Sequence, residues 1–227
     1  MFFDSYYLIL VVPALLFAGW AQMKVSGTFQ RYSRVRAARG LTGADVARRI
    51  LDENGLQHIR IEHIRGNLTD HYDPGSGVVR LSDSVYGSDS VAALGVAAHE
   101  CGHAVQHARH YAPLVFRNAI IPITNIGSKL AIPLFLLGLI FSIPALADLG
   151  LLLFSLAAVF QLVTLPVEFN ASSRALATLE RANFLDPPEL RGSKKVLQAA
   201  ALTYVAALLV TVAQLLRLVL LANRRRD

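Results

Sequence analysis

Hydrophobic and polar positions follow one another in long blocks along this chain. Apolar runs occupy most of residues 2–23, 130–147, 149–167 and 198–222. Each run is close to the roughly 20 residues that an α-helix needs to cross a bilayer. The pattern therefore predicts about four transmembrane helices, of which the second and third form a tight hairpin separated by the region from Pro144 to Gly150 around Asp148.

The first apolar run indicates an uncleaved membrane anchor. It contains Asp4 near its start and no Lys or Arg before Lys24. A cleaved signal peptide would instead begin with basic residues and end at a site of small residues. We therefore expect this helix to stay in the mature protein.

The region 24–117 is polar and is the one sizeable part expected to face water. Helical spacing over 43–51 predicts a short helix, with Thr42 as its N-cap and a stop at Asn54. The other elements predicted here are two strands at 58–64 and 78–81, joined by a turn-rich loop as a hairpin or small sheet, and a long helix from Ser90 to about Tyr111. Further along, 168–197 is again polar, with loop signals at 186–188 and 192–195.

Composition narrows the class of protein. Of 227 residues, 54% are hydrophobic and only 17% are charged, whereas about a quarter of an ordinary soluble domain is charged. The net charge is +6, but no Lys/Arg run is interleaved with aromatic residues, so we expect no nucleic-acid partner. The single cysteine, Cys101, excludes an internal disulfide and with it a small secreted scaffold.

The distribution of Lys and Arg predicts the orientation in the membrane. Residues 24–129 carry 13 of them and residues 168–197 carry five, whereas the first 23 residues and the hairpin tip carry none. The polar segments should therefore face the cytoplasm, with the N-terminus outside. A complete fourth span would place Arg224, Arg225 and Arg226 outside. Either the last helix does not cross the membrane, or the Lys and Arg residues elsewhere in the chain determine the orientation despite these three.

The motif HECGH, residues 99–103, lies on the predicted long helix. Because His99 and His103 are four residues apart, they lie on the same helical face, where both imidazoles can bind one Zn²⁺ at about 2.1 Å. Glu100 then lies beside the open coordination position, which is the zincin arrangement. The alternative is a helix with two ordinary polar positions.

A catalytic zinc usually has three protein ligands, so a third must come from elsewhere. His107 lies eight residues from His99, about 12 Å along the helix axis, which is too far for one tetrahedron. The metzincin pattern requires a histidine where Arg109 stands. Glu168 follows the third span at its cytoplasmic exit, where a carboxylate is unfavourable unless it binds a cation, so Glu168 is the predicted third ligand and a plain interfacial glutamate is the alternative.

Four segments carry a family resemblance: HECGHAVQ, LTDHYDP, VEFNASSRA and GSKKVLQAAALTYVAA. Over nearly its whole length the chain resembles the YugP-like membrane neutral zinc metallopeptidases and, more distantly, HtpX-like membrane proteases. The resemblance implies that His99, His103 and Glu168 bind zinc and that Glu100 is the general base. HtpX-like sequences carry Asp where this chain has Ser172, which leaves open whether that residue supports a ligand.

The expected fold is a mainly α membrane protein with about four transmembrane helices and a small α+β cytoplasmic region, which is zincin-like and carries the HExxH helix. The predicted domains are a first transmembrane helix (1–23), the zincin-like region (24–117), a transmembrane hairpin (118–167), a cytoplasmic segment with the third metal ligand (168–197), and a fourth helix with a basic tail (198–227).

These features predict an integral-membrane zinc-dependent endopeptidase. It would hydrolyse peptide bonds at the cytoplasmic membrane surface by attack of zinc-bound water, with Glu100 taking the proton. The expected partners are membrane-associated polypeptide substrates and the lipid bilayer. A non-catalytic zinc-binding scaffold or regulator is the alternative, although it would not need Glu100. A transporter would need ionisable residues in its spans, and Arg217, near the end of the fourth span, is the exception in spans that otherwise lack them.

Several further residues remain ambiguous at the level of sequence. The stretch 69–74 could contact substrate or form a capped turn, and 78–82 could offer a sheet edge to an extended peptide or be a structural strand. Cys101 is expected to be a small buried side chain, and Gly102 to pack closely against another backbone. The sequence offers five candidates for stabilising the oxyanion and does not choose among them: His71, Tyr72, Tyr86, Asn170 and Arg174.

Overall fold

The computed structural model describes residues 4–224, so Arg225 and Arg226 of the predicted basic tail lie outside the described residues. Within this range the chain is mostly helical, with one three-stranded sheet. The elements are α1 (Val12–Tyr32, preceded by a π-helical turn at Tyr7–Val11), α2 (Gly43–Glu53), β1 (Arg60–Ile64), β2 (His71–Asp73), β3 (Val78–Ser82), α3 (Val91–Ala108), α4 (Ala112–Ile140), α5 (Pro144–Arg181) and α6 (Pro187–Asn223).

Among the described residues, four helices are long and apolar enough to cross a bilayer. They are Tyr7–Tyr32, α4, α5 and α6. The prediction of about four apolar helices is therefore confirmed, and each is a candidate membrane span, as in a multi-pass membrane protein.

Two predicted breaks in the helices are wrong. The hairpin turn covers only 141–143, because α5 begins at Pro144 and includes Asp148. Proline suits the first position of a helix, where its missing N–H is not needed. The loop expected at 192–195 is part of α6. Gly192 serves close packing there, since a Cβ at this position would lie 2.7 Å from the ring of Tyr32.

The sheet contains both predicted strands, but they do not form a hairpin. β1 pairs with β3 in parallel, and the short β2 between them in sequence pairs with β3 antiparallel. The resulting order is β1-β3-β2. β3 is therefore paired on both sides, so of the two alternatives for residues 78–82 the structural strand is the one that the sheet shows. The edges belong to β1 and β2.

Helices α2 and α3, in the polar region of the chain, begin where local capping predicts. Thr42 accepts the N–H of Asp45, and the Asp45 carboxylate accepts the N–H of Thr42, which forms a capping box at the start of α2. Ser90 accepts the N–H of Ala93 at the start of α3. Because α3 then runs unbroken to Ala108, the HECGH motif lies on a regular helix.

The chain divides into two compact units. Unit 1 combines Met1–Gln22, Pro113–Pro166 and Leu202–Asp227, and unit 2 combines Met23–Ala112 and Val167–Ala201. The core of unit 2 brings together α2, the sheet, α3 and the polar ends of α5 and α6; its fully buried members include Val46, Leu51, Leu81, Leu94 and Leu179. In unit 1 the buried cluster consists of Phe135, Ala147, Leu218 and Ala222.

Candidate metal centre

Three of the predicted site residues meet inside unit 2. On α3, His99 and His103 face each other with their Nε2 atoms 3.1 Å apart and their rings nearly perpendicular, at 88°. Oε2 of Glu168, on α5, lies 3.3 Å from Nε2 of His99 and 3.5 Å from Nε2 of His103. Two ring nitrogens and one carboxylate oxygen therefore converge on one point, as a metal ion would require.

Close backbone packing brings α5 to this face of α3. A Cβ at Gly102 would lie 2.8 Å from the carbonyl oxygen of Ala171, a distance that real Cβ atoms do not tolerate. Glycine therefore lets the two helices approach, as the sequence predicted for Gly102. Glu168 lies three residues before Ala171, nearly one turn away on the same side of α5, so this contact positions the carboxylate.

The outer nitrogen of His103 is held by Gln106. Nδ1 of His103 lies 3.0 Å from Oε1 of Gln106. Nε2 of Gln106 donates to the carbonyl of Val167 at 2.8 Å and to Oδ1 of Asn170 at 3.0 Å. Because the amide nitrogen of Gln106 is committed as a donor, its oxygen must accept, so Nδ1 of His103 carries the proton. In the neutral ring, Nε2 then directs a lone pair at the centre.

Ser172 holds the other imidazole. Its Oγ lies 3.1 Å from Nδ1 of His99, and a hydroxyl that accepts from this nitrogen leaves the lone pair of Nε2 facing the centre. The sequence left the role of Ser172 open and missed Gln106. The signal was helical spacing: Gln106 follows His103 by three residues and Ser172 follows Glu168 by four, which places each on the face of a predicted ligand.

The donor set fits a divalent cation. Neutral imidazole nitrogens and a carboxylate oxygen directed at one point repel one another unless a proton or a cation lies between them. Burial by itself lowers the pKa of His103, but the hydrogen bond with Glu168 and the charges of Glu100 and Glu168 raise that pKa above its ordinary value. The centre thus favours positive charge, and two imidazoles with one carboxylate are a common set for zinc.

Glu100 is buried and fixed through one of its two oxygens. Its Oε2 accepts the backbone N–H of Tyr72, on the edge strand β2, at 3.0 Å. Its Oε1 has no hydrogen-bond partner among residues 4–224, so this oxygen is available to a proton donor. A backbone donor cannot be recognised from residue types, which is why the sequence did not indicate this contact.

The remaining candidates are not part of the group of three converging side chains and have contacts of their own. Nδ1 of His107 contacts Oη of Tyr72 at 2.9 Å, consistent with its exclusion as a ligand. Asn170 and Arg174 bond to each other at 2.7 Å. His71 contacts the carbonyl of Thr69, and the ring of Tyr86 packs against His63. The geometry singles out no oxyanion stabiliser among the five candidates.

Two other ambiguous features have structural roles. Asp73 accepts the N–H groups of Gly75 and Ser76, which makes the end of the 69–74 stretch a capped turn. Hydrogen bonds from Ser76 and Arg80 hold the pKa of Asp73 well below its usual range. Cys101 is fully buried, as predicted, and burial raises the pKa of its thiol.

Comparison with known proteins places this geometry in a family context. The family model described as "Putative neutral zinc metallopeptidase" matches residues 7–223, which include all three converging side chains. The chain is 51% identical over 221 residues to "Putative membrane protease YugP" of Bacillus subtilis (strain 168), and the match covers 97% of this chain and 98% of that protein. No solved structure matches the chain.

Proposed function

The chain belongs to this neutral zinc metallopeptidase family, as its motifs predicted, and we propose that it is an integral-membrane, zinc-dependent endopeptidase. His99, His103 and Glu168 would hold the zinc, and Glu100 would act as the general base. The substrates would be membrane-associated polypeptides.

One observation carries the proposal: a possible metal site and a candidate base lie on the same helix. Nε2 of His99, Nε2 of His103 and Oε2 of Glu168 lie within 4.8 Å of one another. Glu100, which directly follows His99, is buried and has one unpaired oxygen. A site that only binds metal needs the first feature. The second feature is what a hydrolase adds, because hydrolysis requires a group that accepts a proton from water.

The mechanism follows from what each residue can do. When bound, zinc would supply Lewis-acid polarisation of the scissile carbonyl. Glu100 would take a proton from the attacking water on its unpaired oxygen and give it to the leaving amine. The N–H of Tyr72 holds the other oxygen at 3.0 Å, which fixes the direction of the carboxylate. Gln106 and Ser172 keep the two imidazoles in the tautomer that binds metal.

The direct test measures metal content and cleavage in the same preparations. Detergent-purified protein should contain about one zinc per chain by mass spectrometry of the metal and should cleave casein. We expect Glu168→Ala to lose both. Glu180→Ala, a change at an exposed position on the same helix, should lose neither. Full zinc content in Glu168→Ala would show that the third ligand is a different residue.

The same experiment separates the enzyme from a zinc-binding scaffold. If the protein is a scaffold, the wild type will bind zinc but will hydrolyse neither casein nor peptides under any metal condition. In that case replacement of Glu100 by Gln would change neither zinc content nor any measured activity. The unpaired oxygen of Glu100 favours the enzyme.

We also propose that the site faces the cytoplasm, because the Lys and Arg residues concentrate in 24–129 and 168–197. Cys101 is fully buried, so a new surface cysteine can be labelled selectively. His58→Cys, at an exposed position of unit 2, should react with a membrane-impermeant maleimide in inverted vesicles and not in intact cells. Phe141→Cys, at the hairpin turn, should show the opposite pattern.

A further inference from the structure

A second feature of unit 2 lies on another face of α3. A cavity of about 180 Å³ is lined by residues of α2, α3 and α5, among them Arg109, Arg174 and Arg181. The α3 side of the cavity is lined by Ala98, Gly102 and Val105, together with Arg109 just after the helix. These residues follow one another at helical spacing, and neither of the two histidines is among them. None of the described lining residues is Asp or Glu.

The charge of this cavity is not compensated by its walls. A guanidinium stays protonated in proteins, so the three arginines bring three positive charges around one space. Glu53 lies 3.7 Å from Arg181 and offsets part of this charge, but the Arg181 side chain is 70% exposed and the contact is long. Like charges in one site repel, so a bound anion would stabilise the arrangement.

Two of the arginines are held in place through one nitrogen each. Nε of Arg174 donates to Oδ1 of Asn170 at 2.7 Å, and its terminal nitrogens have no partner among residues 4–224. Arg109 makes a single contact of 3.4 Å from Nη2 to Oδ1 of Asn54. The remaining N–H groups of these guanidinium forks are available for the paired hydrogen bonds that oxyanions accept.

The size of the cavity indicates how much of a ligand it holds. Pockets for drug-sized molecules measure roughly 300–1,000 Å³, so about 180 Å³ accommodates one charged group. Three forks suit a tetrahedral oxyanion with several acceptor oxygens better than a carboxylate with two. α5, which carries Arg174 and Arg181, also contains an apolar window long enough for a membrane span, and basic pockets on such helices hold lipid head groups.

We propose that this cavity binds a phosphate group, carried either by an anionic phospholipid or by a soluble phosphate compound. The site is separate from the metal centre, although Asn170 accepts hydrogen bonds from both Arg174 and Gln106. The proposal therefore does not depend on the peptidase assignment.

Thermal unfolding of the full chain in a neutral detergent tests this. One arm adds inorganic phosphate against chloride at equal ionic strength, and the other adds phosphatidic acid against phosphatidylcholine at equal mole fraction. At ten times its Kd, a ligand should raise Tm by about 3–6 °C. A response to phosphate alone identifies a soluble ligand, and a response to phosphatidic acid alone identifies a lipid. No response in either arm would overturn the proposal.

Variants then assign the binding to the cavity. Arg174→Gln should weaken binding about ten- to hundredfold, whereas Arg191→Gln, the same charge change at an exposed site outside the cavity, should not. If Arg174→Gln does not fold, a second pair decides. Ala177→Glu places a carboxylate at the cavity wall and should abolish binding, and Ser173→Glu, on the same helix outside the wall, should preserve it. Equal losses within either pair would show non-specific attraction and overturn the proposal.

Discussion

The two units of this protein use apolar residues in opposite ways. In unit 1, large apolar side chains such as Ile9, Leu16 and Ile140 are 68%, 71% and 69% exposed. In unit 2, most large apolar residues of α2, β3 and α3 are fully buried; Leu51, Leu81 and Leu94 are examples. An apolar sequence therefore predicts a buried core only where water is the solvent. In unit 1 the same residues suit contact with lipid.

The two units also differ in where they place ion pairs. Unit 1 holds an ion pair between Asp4 and Arg217 at 2.7 Å, with side chains only 14% and 12% exposed, and Arg217 also stacks on the ring of Tyr7. Unit 2 places most of its ion pairs at its surface and buries chiefly the groups of the metal centre. Buried charge in either unit thus occurs where a specific partner has been brought to it.

The largest effect should come from the metal centre of unit 2. Glu100→Gln removes the proton acceptor while it keeps the shape of the side chain, so turnover of casein should fall about 10²- to 10⁴-fold with zinc content unchanged. Glu180→Gln, on exposed α5 surface, is the matched control and should retain full turnover. Retained turnover in Glu100→Gln would assign the base elsewhere.

The next effect compares the ion pairs of the two units. Asp4→Asn removes the negative charge that faces Arg217 in a nearly buried ion pair and should lower the free energy of unfolding by about 3 kcal/mol. Asp89→Asn removes the partner of Arg36, whose side chain is 81% exposed, and should change it by about 1 kcal/mol or less. Thermal unfolding in detergent measures both, and similar losses would contradict the contrast between the units.

Loss of a hydrogen bond that supports a predicted metal ligand should have an intermediate effect. Gln106→Met preserves volume at a fully buried position but removes the acceptor for Nδ1 of His103. Zinc affinity, measured by competition with a chromogenic chelator, should fall about 10- to 100-fold. Gln57→Met, at an exposed position, should leave the affinity as in wild type. Unchanged affinity in Gln106→Met would show that the tautomer is fixed in another way.

Packing can be compared with two glycines. Gly102→Ala places a Cβ 2.8 Å from the carbonyl oxygen of Ala171 and should destabilise the protein by about 1–3 kcal/mol. Gly19→Ala, in α1 of unit 1, has no atom within 4 Å of the new Cβ and should leave Tm unchanged or slightly raised. A higher Tm in Gly102→Ala would show that α3 and α5 can separate without loss.

The smallest effect is electrostatic and confined to the surface of unit 2. Hydrogen bonds from Ser76 and Arg80 lower the pKa of Asp73 in the folded state. Its contribution to stability is therefore present above the unfolded pKa, about 3.9, and is lost as pH falls through the folded value. Asp73→Asn should have a slightly lower Tm than wild type at pH 6, and the difference should vanish in strong acid. A difference that grows in acid would contradict the sign.

Local signals predicted much of the fold. Thr42 and Ser90 cap helices through atoms three residues away, so the starts of α2 and α3 follow from residue type. The strands were also predicted, but their pairing was not, because the partner of β3 is set by which strand packs against α3. The helix continues through 192–195 because packing of Gly192 against Tyr32 overrides a local loop signal. The hairpin turn is confined to 141–143 because Pro144 begins α5.

The sequence by itself determined the apolar spans, the helix that carries HECGH and the spacing that puts His99 and His103 on one face, because a helix repeats every 3.6 residues whatever surrounds it. It also narrowed the third donor to Glu168 by position. Only the tertiary structure decided that Glu168 reaches both rings, that Gln106 and Ser172 hold their outer nitrogens, and that a backbone N–H fixes Glu100. Apart from the contact of His103 with Gln106 inside α3, these contacts join residues far apart in the chain, and packing of α3 against α5 and β2 sets their distances.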